Sequence, residues 1–194
     1  MFSFDWIVLK KNHIKDNKSL ILIFSKEYWK ISAWVTESKK KTSVDIWNVY
    51  NFSSKTDNSI NKIDWIKTKV ILKTDSLGFS EINNILQIIT YLEKILPSWV
   101  VTESVYNDYI EIIKYLVDKE SNYKIYVFFI LRLIKRIGIA NPPKTWLQKD
   151  NLVKIFSVIN IYEIEKLMRI WWIEKDDLDD INSYNTNTLI NYIN

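Results

Sequence analysis

Near residue 75 the spacing of apolar side chains changes from alternation to a helical repeat, and that switch most constrains what this chain can become. Before it, Phe4–Lys11, Ser19–Ser25, Trp29–Glu37, Val44–Phe52 and Ile63–Lys73 are short runs rich in Ile, Val, Trp, Tyr and Phe. Those residue types suit a pleated, half-buried strand. Polar clusters at Asn12–Lys18, Ser38–Ser43 and Ser53–Asn61 read as the turns between them. In the third run Ile31, Ala33 and Val35 share one face, and Lys30, Ser32, Trp34 and Thr36 the other. In the fifth, Ile66, Val70 and Leu72 oppose Lys67, Lys69 and Lys73. Five strands in about 70 residues predict a small barrel, most often of the oligonucleotide-binding (OB) type.

After Asp75 the repeat is 3.6 residues. One stripe holds Ile82, Ile85, Leu86, Ile89, Leu92 and Leu96 and stops at Pro97. A second holds Tyr106, Tyr109, Ile110, Ile113, Leu116 and Val117. The third, Tyr123, Tyr126, Val127, Ile130, Leu131, Ile134 and Ile137, ends on basic Arg132, Lys135 and Arg136, with Gly138 as a left-handed cap and Pro142–Pro143 beyond. Asn160 with Glu163 reads as a cap opening a helix through Met168. Weaker helices are expected at Leu152–Val158 and Thr186–Ile193, and Asp176–Asp180 as a solvated loop. The expected fold class is α+β: a five-stranded OB-type β-barrel over residues 1–77 for nucleic-acid binding, then an all-helical domain over 78–194.

Composition narrows the function. Among 194 residues there is no cysteine and one histidine, His13. That excludes thiolate metal sites, a cysteine nucleophile and paired-histidine zinc motifs, and leaves a His-based triad unsupported. No glycine-rich phosphate loop is present. The acid pairs Asp176-Asp177 and Asp179-Asp180 lack a metal-ligand spacing. Neither catalytic residues, nor a metal, nor a cofactor are expected. The most apolar stretch, Ile125 to Leu133, is far short of the roughly 20 residues that span a bilayer. Met1–Val8 has no basic region of a signal peptide, so a soluble, cytoplasmic protein with no membrane partner is expected.

Residues 1–75 hold 14 lysines against 8 acidic residues, whereas the remainder is slightly acidic. A basic front suggests an anionic partner; a solvated lysine surface is the bland alternative. An OB surface binds single strands through cations along the backbone and aromatics under the bases. The candidates are Lys10 and Lys11 at the end of the first strand, Lys30 and Trp34 on the outward face of the third, and Lys39, Lys40 and Lys41 in the following loop, with Tyr28 as a further stacking residue. Read blandly, the lysine triplet is a turn and Trp34 interface packing. Arg132, Lys135 and Arg136 either bind an acidic peptide or complement a helix C-terminus.

Several motifs fall in a familiar order. Trp6-Ile7-Val8-Leu9-Lys10 matches a G-I-V-L-K strand; a polar loop, Asn12–Lys18, and an apolar strand, Leu20–Ser25, follow. Glu27-Tyr28-Trp29-Lys30-Ile31-Ser32 matches E-x-G-K-I/L-S, and Val35 to Ser43 a basic stretch ending in Ser, with Thr36 and Glu37 replacing its lysine and glycine. Asn51-Phe52-Ser53 partly keeps a P-F-S signature, and Phe128 to Gly138 resembles a helix of the form F-x-L-R-L-L-x-x-L-G. In these features, over about residues 5–43 and 101–143, the chain resembles the bacterial RecO family of DNA-repair proteins. The resemblance implies a non-enzymatic recombination mediator, nucleoid-associated, that binds single- and double-stranded DNA and anneals complementary strands. It also implies work with RecR to load RecA onto DNA coated with single-strand-binding protein. The four-cysteine zinc site of many members is replaced by Ala140-Asn141-Pro142-Pro143. Rival readings are a stand-alone OB protein with a helical oligomerisation domain, and an enzyme with a pocket in its helical half.

Glycine is scarce: 2 residues against the roughly 14 expected, while tryptophan appears 9 times. Trp6 and Trp29 stand where the resembled family has glycine, and Trp99 follows Pro97-Ser98 where a turn favours it. UGA codons read as glycine would give both anomalies one cause.

Overall fold

The computed structural model describes residues 2–15, 17–25, 30–36, 44–54, 63, 65–96 and 103–193. The chain forms two compact units, residues 1–76 with 85–107, and residues 77–84 with 108–194. The first contains five strands, β1 (Phe2–Lys15), β2 (Lys18–Phe24), β3 (Ile31–Thr36), β4 (Val49–Ser54) and β5 (Trp65–Val70). All neighbours are antiparallel, in the order β3-β2-β1-β4-β5. The fold class is therefore α+β, with the sheet first and helices after it. Barrel closure was the finer expectation, and among the described residues β3 and β5 share no ladder. One backbone hydrogen bond, from Ile63 N–H to Trp34 O at 3.1 Å, joins the residues at these two edges.

The inner face of the sheet is the core of this unit. Trp6 and Val8 of β1, Ile21 and Ile23 of β2, Ala33 and Val35 of β3, and Tyr50 and Phe52 of β4 form one buried cluster, with Ile66 of β5 packed against it. The alternation read from the third and fifth runs holds: Ser32, Trp34, Thr36, Lys67 and Lys69 are exposed between more buried neighbours. Two corrections concern the strand ends. The turn expected over Asn12–Lys18 is mostly strand, with Lys15 paired to Lys18 and Asn17 at φ 63°; Asn tolerates that left-handed conformation, so a tight hairpin suffices. Val44–Asn48 precede β4 rather than belonging to it.

The helices are α1 (Phe79–Ile95), α2 (Glu103–Leu116), α3 (Lys119–Arg136), α4 (Asp150–Val158), α5 (Ile164–Met168) and α6 (Lys175–Ile193). The C-terminal part of α1 belongs to the sheet unit, where Ile88, Leu92 and Ile95 are buried. Phe24 and Tyr106 meet edge to face at 5.9 Å there. In the second unit α3 is central: every residue from Ile125 to Ile134 is buried, the pattern of a helix covered on all sides. Its end matches expectation. Gly138 has φ 80°, its N–H bonds Lys135 O at 3.3 Å, and Ile139 N–H reaches Ile134 O at 3.1 Å, the paired bonds of a Schellman cap.

Two helical expectations are corrected. Asn160 does not cap α5; the residue before that helix is Glu163, with no side-chain cap bond. The acidic stretch Asp176–Asp180 is not a loop but the start of α6. Negative charge is favoured at a helix N-terminus, and these carboxylates also have partners: Asp177 accepts from Asn151 Nδ2 at 2.9 Å, Asp179 from Tyr123 Oη at 2.6 Å, and Asp180 pairs with Lys149.

Candidate nucleic-acid interface

The outer face of β2 and β3 begins from alternation. Ile21, Ile23, Ala33 and Val35 turn inward, so Lys18, Leu20 and Leu22 of β2 and Ser32, Trp34 and Thr36 of β3 turn outward. The register places Asn12, Leu20 and Trp34 in one cross-strand row and Lys10, Leu22 and Ser32 in the next. Lys18 stands opposite Thr36 at the hairpin end. Trp34 is 43% exposed, so its indole offers a stacking surface beside half-buried Leu20. Towards the other end the same face is closed: Ile7, Leu9, Phe24 and Val49 are buried without joining the inner cluster.

Two of the expected phosphate-binding lysines meet α1 instead. Lys10 Nζ pairs with the Glu93 carboxylate at 2.6 Å, and Lys30 Nζ donates to the Glu93 carbonyl. Cations beside the last turn of a helix complement its dipole and its unpaired carbonyls. Burial lowers the Lys30 pKa, and Glu93 opposes that shift only in part. Lys11 donates to Val44 O at 2.8 Å. The cause is a register shift between Val8 and Lys10 in the β1–β2 ladder, which changes the alternation and puts Lys11 opposite inward-facing Ile21. Lys39, Lys40, Lys41 and Tyr28 lie outside the described residues.

A second basic feature, outside the candidates that the sequence suggests, lies on β5 and its neighbours. A recess of about 640 Å³ on β1, β4 and β5 is lined by Asp5, Asn51, Lys67, Thr68 and Lys69. Asn51 Nδ2 donates to Asp5 Oδ1 at 3.0 Å, and Lys69 pairs with Asp5. The signal was present in the sequence: lysines alternate with Ile66 and Val70 on the outward face of an edge strand.

The basic residues of α3 are engaged within the second unit. Arg132 is 2% exposed. Its Nε bonds Ile159 O at 2.7 Å, one terminal nitrogen bonds Asp108 Oδ1 at 2.8 Å, and the other Tyr162 O. Desolvation lowers its pKa and the Asp108 carboxylate opposes the shift; arginine stays charged even so. Arg136 pairs with the same carboxylate at 2.7 Å. Lys135 donates to Phe156 O and lies 4.5 Å from that ring's centroid. Arg132 is thus an internal clamp between α3 and the carbonyls after α4, which leaves it no face for an outside peptide.

No protein-family model matches the chain, and a comparison with curated proteins finds no match. Among the described residues no helix is long and apolar enough to cross a membrane.

Proposed function

We propose that this chain is a RecO-type recombination mediator, with an OB-type sheet unit that binds single- and double-stranded DNA and promotes annealing. The observation that carries the reading is the open outer face of β2 and β3, with exposed Trp34 in register with Leu20 and with Lys18 at the hairpin end. OB domains are partly open five-stranded barrels that bind oligonucleotides on the face of strands 2 and 3 and in the first hairpin loop. The strand order, the shared inner core and the contact between Ile63 and Trp34 support that geometry. In this reading β3 and β5 are the two lips of the opening.

The mechanism requires no covalent chemistry. Lysines along the face neutralise phosphates on two strands, which lowers their repulsion, and base pairing supplies the remaining free energy. In this reading Lys39–Lys41 and the hairpin lysines Lys15 and Lys18 supply further phosphate contacts. The partners implied are RecR, single-strand-binding protein and, functionally, RecA.

The test is single-strand binding and annealing across a salt series, for the wild type and for Lys39→Glu/Lys40→Glu/Lys41→Glu. The triple variant is expected to bind less tightly and to lose up to about 2 units of log–log salt slope, as three lost single-strand phosphate contacts would give. Unchanged affinity and slope would remove the lysine loop from the interface. Capture of RecR and of the acidic tail of single-strand-binding protein separates the mediator from a stand-alone OB protein, which would bind neither.

A further inference from the structure

We propose that position 47 is glycine in the protein as its own cells make it, encoded by a UGA codon read by a glycine-charged tRNA. Three described residues have a left-handed φ: Asn17 at 63°, Gly138 at 80° and Trp47 at 66°. The first sits in a tight hairpin and the second in a Schellman cap, positions that suit Asn and Gly. The third has the bulkiest side chain of all, and a Cβ in that region crowds the backbone.

The local backbone explains why the conformation is needed. Trp47 N–H bonds Val8 O at 2.9 Å, and Val8 N–H bonds Asn48 O at 3.2 Å. Two successive residues therefore oppose one residue of β1, with the first of them left-handed. That is the arrangement of a G1 bulge, whose first position is a glycine. Side chains around it hold the bulge in place: Asn48 Oδ1 accepts from Leu72 N–H at 2.8 Å, and Tyr50 Oη accepts from Asp45 N–H at 2.9 Å. Position 47 cannot move to a negative φ without breaking the link between Val8 and the start of β4.

Strain at one site and composition across the chain agree in direction, since a codon reassigned to glycine moves residues from the 9 tryptophans to the 2 glycines. Trp146 differs in its backbone, whose φ is not left-handed. It is buried in a 3-10 turn (Lys144–Gln148), with ring centroids 4.8 Å from Tyr184 and 6.2 Å from Phe156, so the fold uses its indole. Trp6 is buried too, but its φ is not left-handed, so its backbone does not require glycine.

The first experiment is mass spectrometry of the peptide spanning residues 44–54, from protein isolated from its native cells, with the codon read alongside. A glycine mass and a UGA codon are expected; a tryptophan mass or a UGG codon overturns the proposal. The second uses recombinant chain carrying Trp47. Trp47→Gly should raise the melting temperature by about 2–6 °C, and Trp47→Ala by less, because alanine also has a Cβ. A Trp47→Gly protein that melts at or below the Trp47 chain overturns the proposal. Trp146→Gly should melt lower in the same assay. None of these readouts depends on DNA binding, so this inference and the proposed function can fail separately.

Discussion

The sheet unit and the helical unit handle positive charge in opposite ways. On β5, Lys67 and Lys69 alternate with Ile66 and Val70, so the strand has an outward row on which lysines remain in water. On α3 every position from Ile125 to Ile134 is buried, so Arg132 has no outward row to occupy. Its guanidinium is tolerated because two carbonyls and a carboxylate meet its planar fork of donors. The same charge in the sequence is a surface feature on one element and an internal clamp on the other. What decides between them is how many faces the element buries.

The sharpest way to break that contrast is Arg132→Leu. Removing the guanidinium leaves Asp108 buried with Arg136 alone and strips the partner from Ile159 O and Tyr162 O. A loss of about 3–5 kcal/mol is expected in urea unfolding, the range for breaking a buried ion pair from one side. Asp108→Asn/Arg132→Leu should lose less than the single change, because no buried carboxylate is left with Arg136 as its one remaining cation. A cost for Arg132→Leu below about 0.5 kcal/mol, as for a typical surface substitution, would return Arg132 to the surface. The opposite pole is Lys67→Glu, expected to change stability by no more than about 0.5 kcal/mol.

Asn122 gives a smaller effect of the same kind. It is 1% exposed, bonds Leu116 O through Nδ2, and accepts from Asn84 Nδ2 at 2.8 Å. Asn122→Ala should cost about 1–3 kcal/mol by leaving buried groups unsatisfied. Lys10→Gln, which removes the exposed pair with Glu93, should cost about 0–1 kcal/mol, and that difference should shrink in high salt. If Lys10→Gln costs as much as Asn122→Ala, exposure is not what separates the two units.

How far the sequence revealed these features follows from the range of the forces involved. Alternation exposed Trp34 and Lys67 correctly, and Gly138 with its preceding basic turn located the end of α3, because both signals lie within a few residues. The fate of Lys11 was hidden: a one-residue register shift between Val8 and Lys10 depends on pairing with β2 and leaves no mark in β1 alone. Arg132 looked like a basic helix end because its partners, Asp108, Ile159 and Tyr162, are 24 to 30 residues away in the chain. The acidic start of α6 looks like loop in the sequence because five residues with four acids show no apolar stripe; the buried stripe, Leu178, Ile181, Asn185 and Leu189, includes an asparagine bonded to Val127 O. Of the candidate interface, Trp34 was visible as a face residue, whereas the involvement of Lys10 and Lys30 with Glu93 required the fold.

A graded effect is expected at alkaline pH, where lysines whose pKa is lowered by burial (Lys30, with Lys124 and Lys135 of the helical unit) and a buried phenol act in opposite directions. Burial lowers the Lys30 pKa below 10.5, so in the folded state Lys30 gives up its proton before it would in the unfolded chain. Through that window the unfolded state binds more protons, and this term makes stability rise with pH. Tyr109 in the helical unit is fully buried, and desolvation raises its phenol pKa far above 10.0. Below pH 10 Tyr109 is neutral in both states; above it only the unfolded state ionises, so this term makes stability fall. The Tyr109 shift is the larger, because that side chain is wholly enclosed while Lys30 keeps some contact with water. Net stability should therefore decline above about pH 10. Tyr109→Phe should flatten the decline in urea titrations at each pH, with Tyr123, raised by burial and by its bond to Asp179, contributing the remainder. Stability that rises from pH 10 to 11 in the wild type would mean that the lysines lowered by burial, Lys30, Lys124 and Lys135, outweigh the phenols.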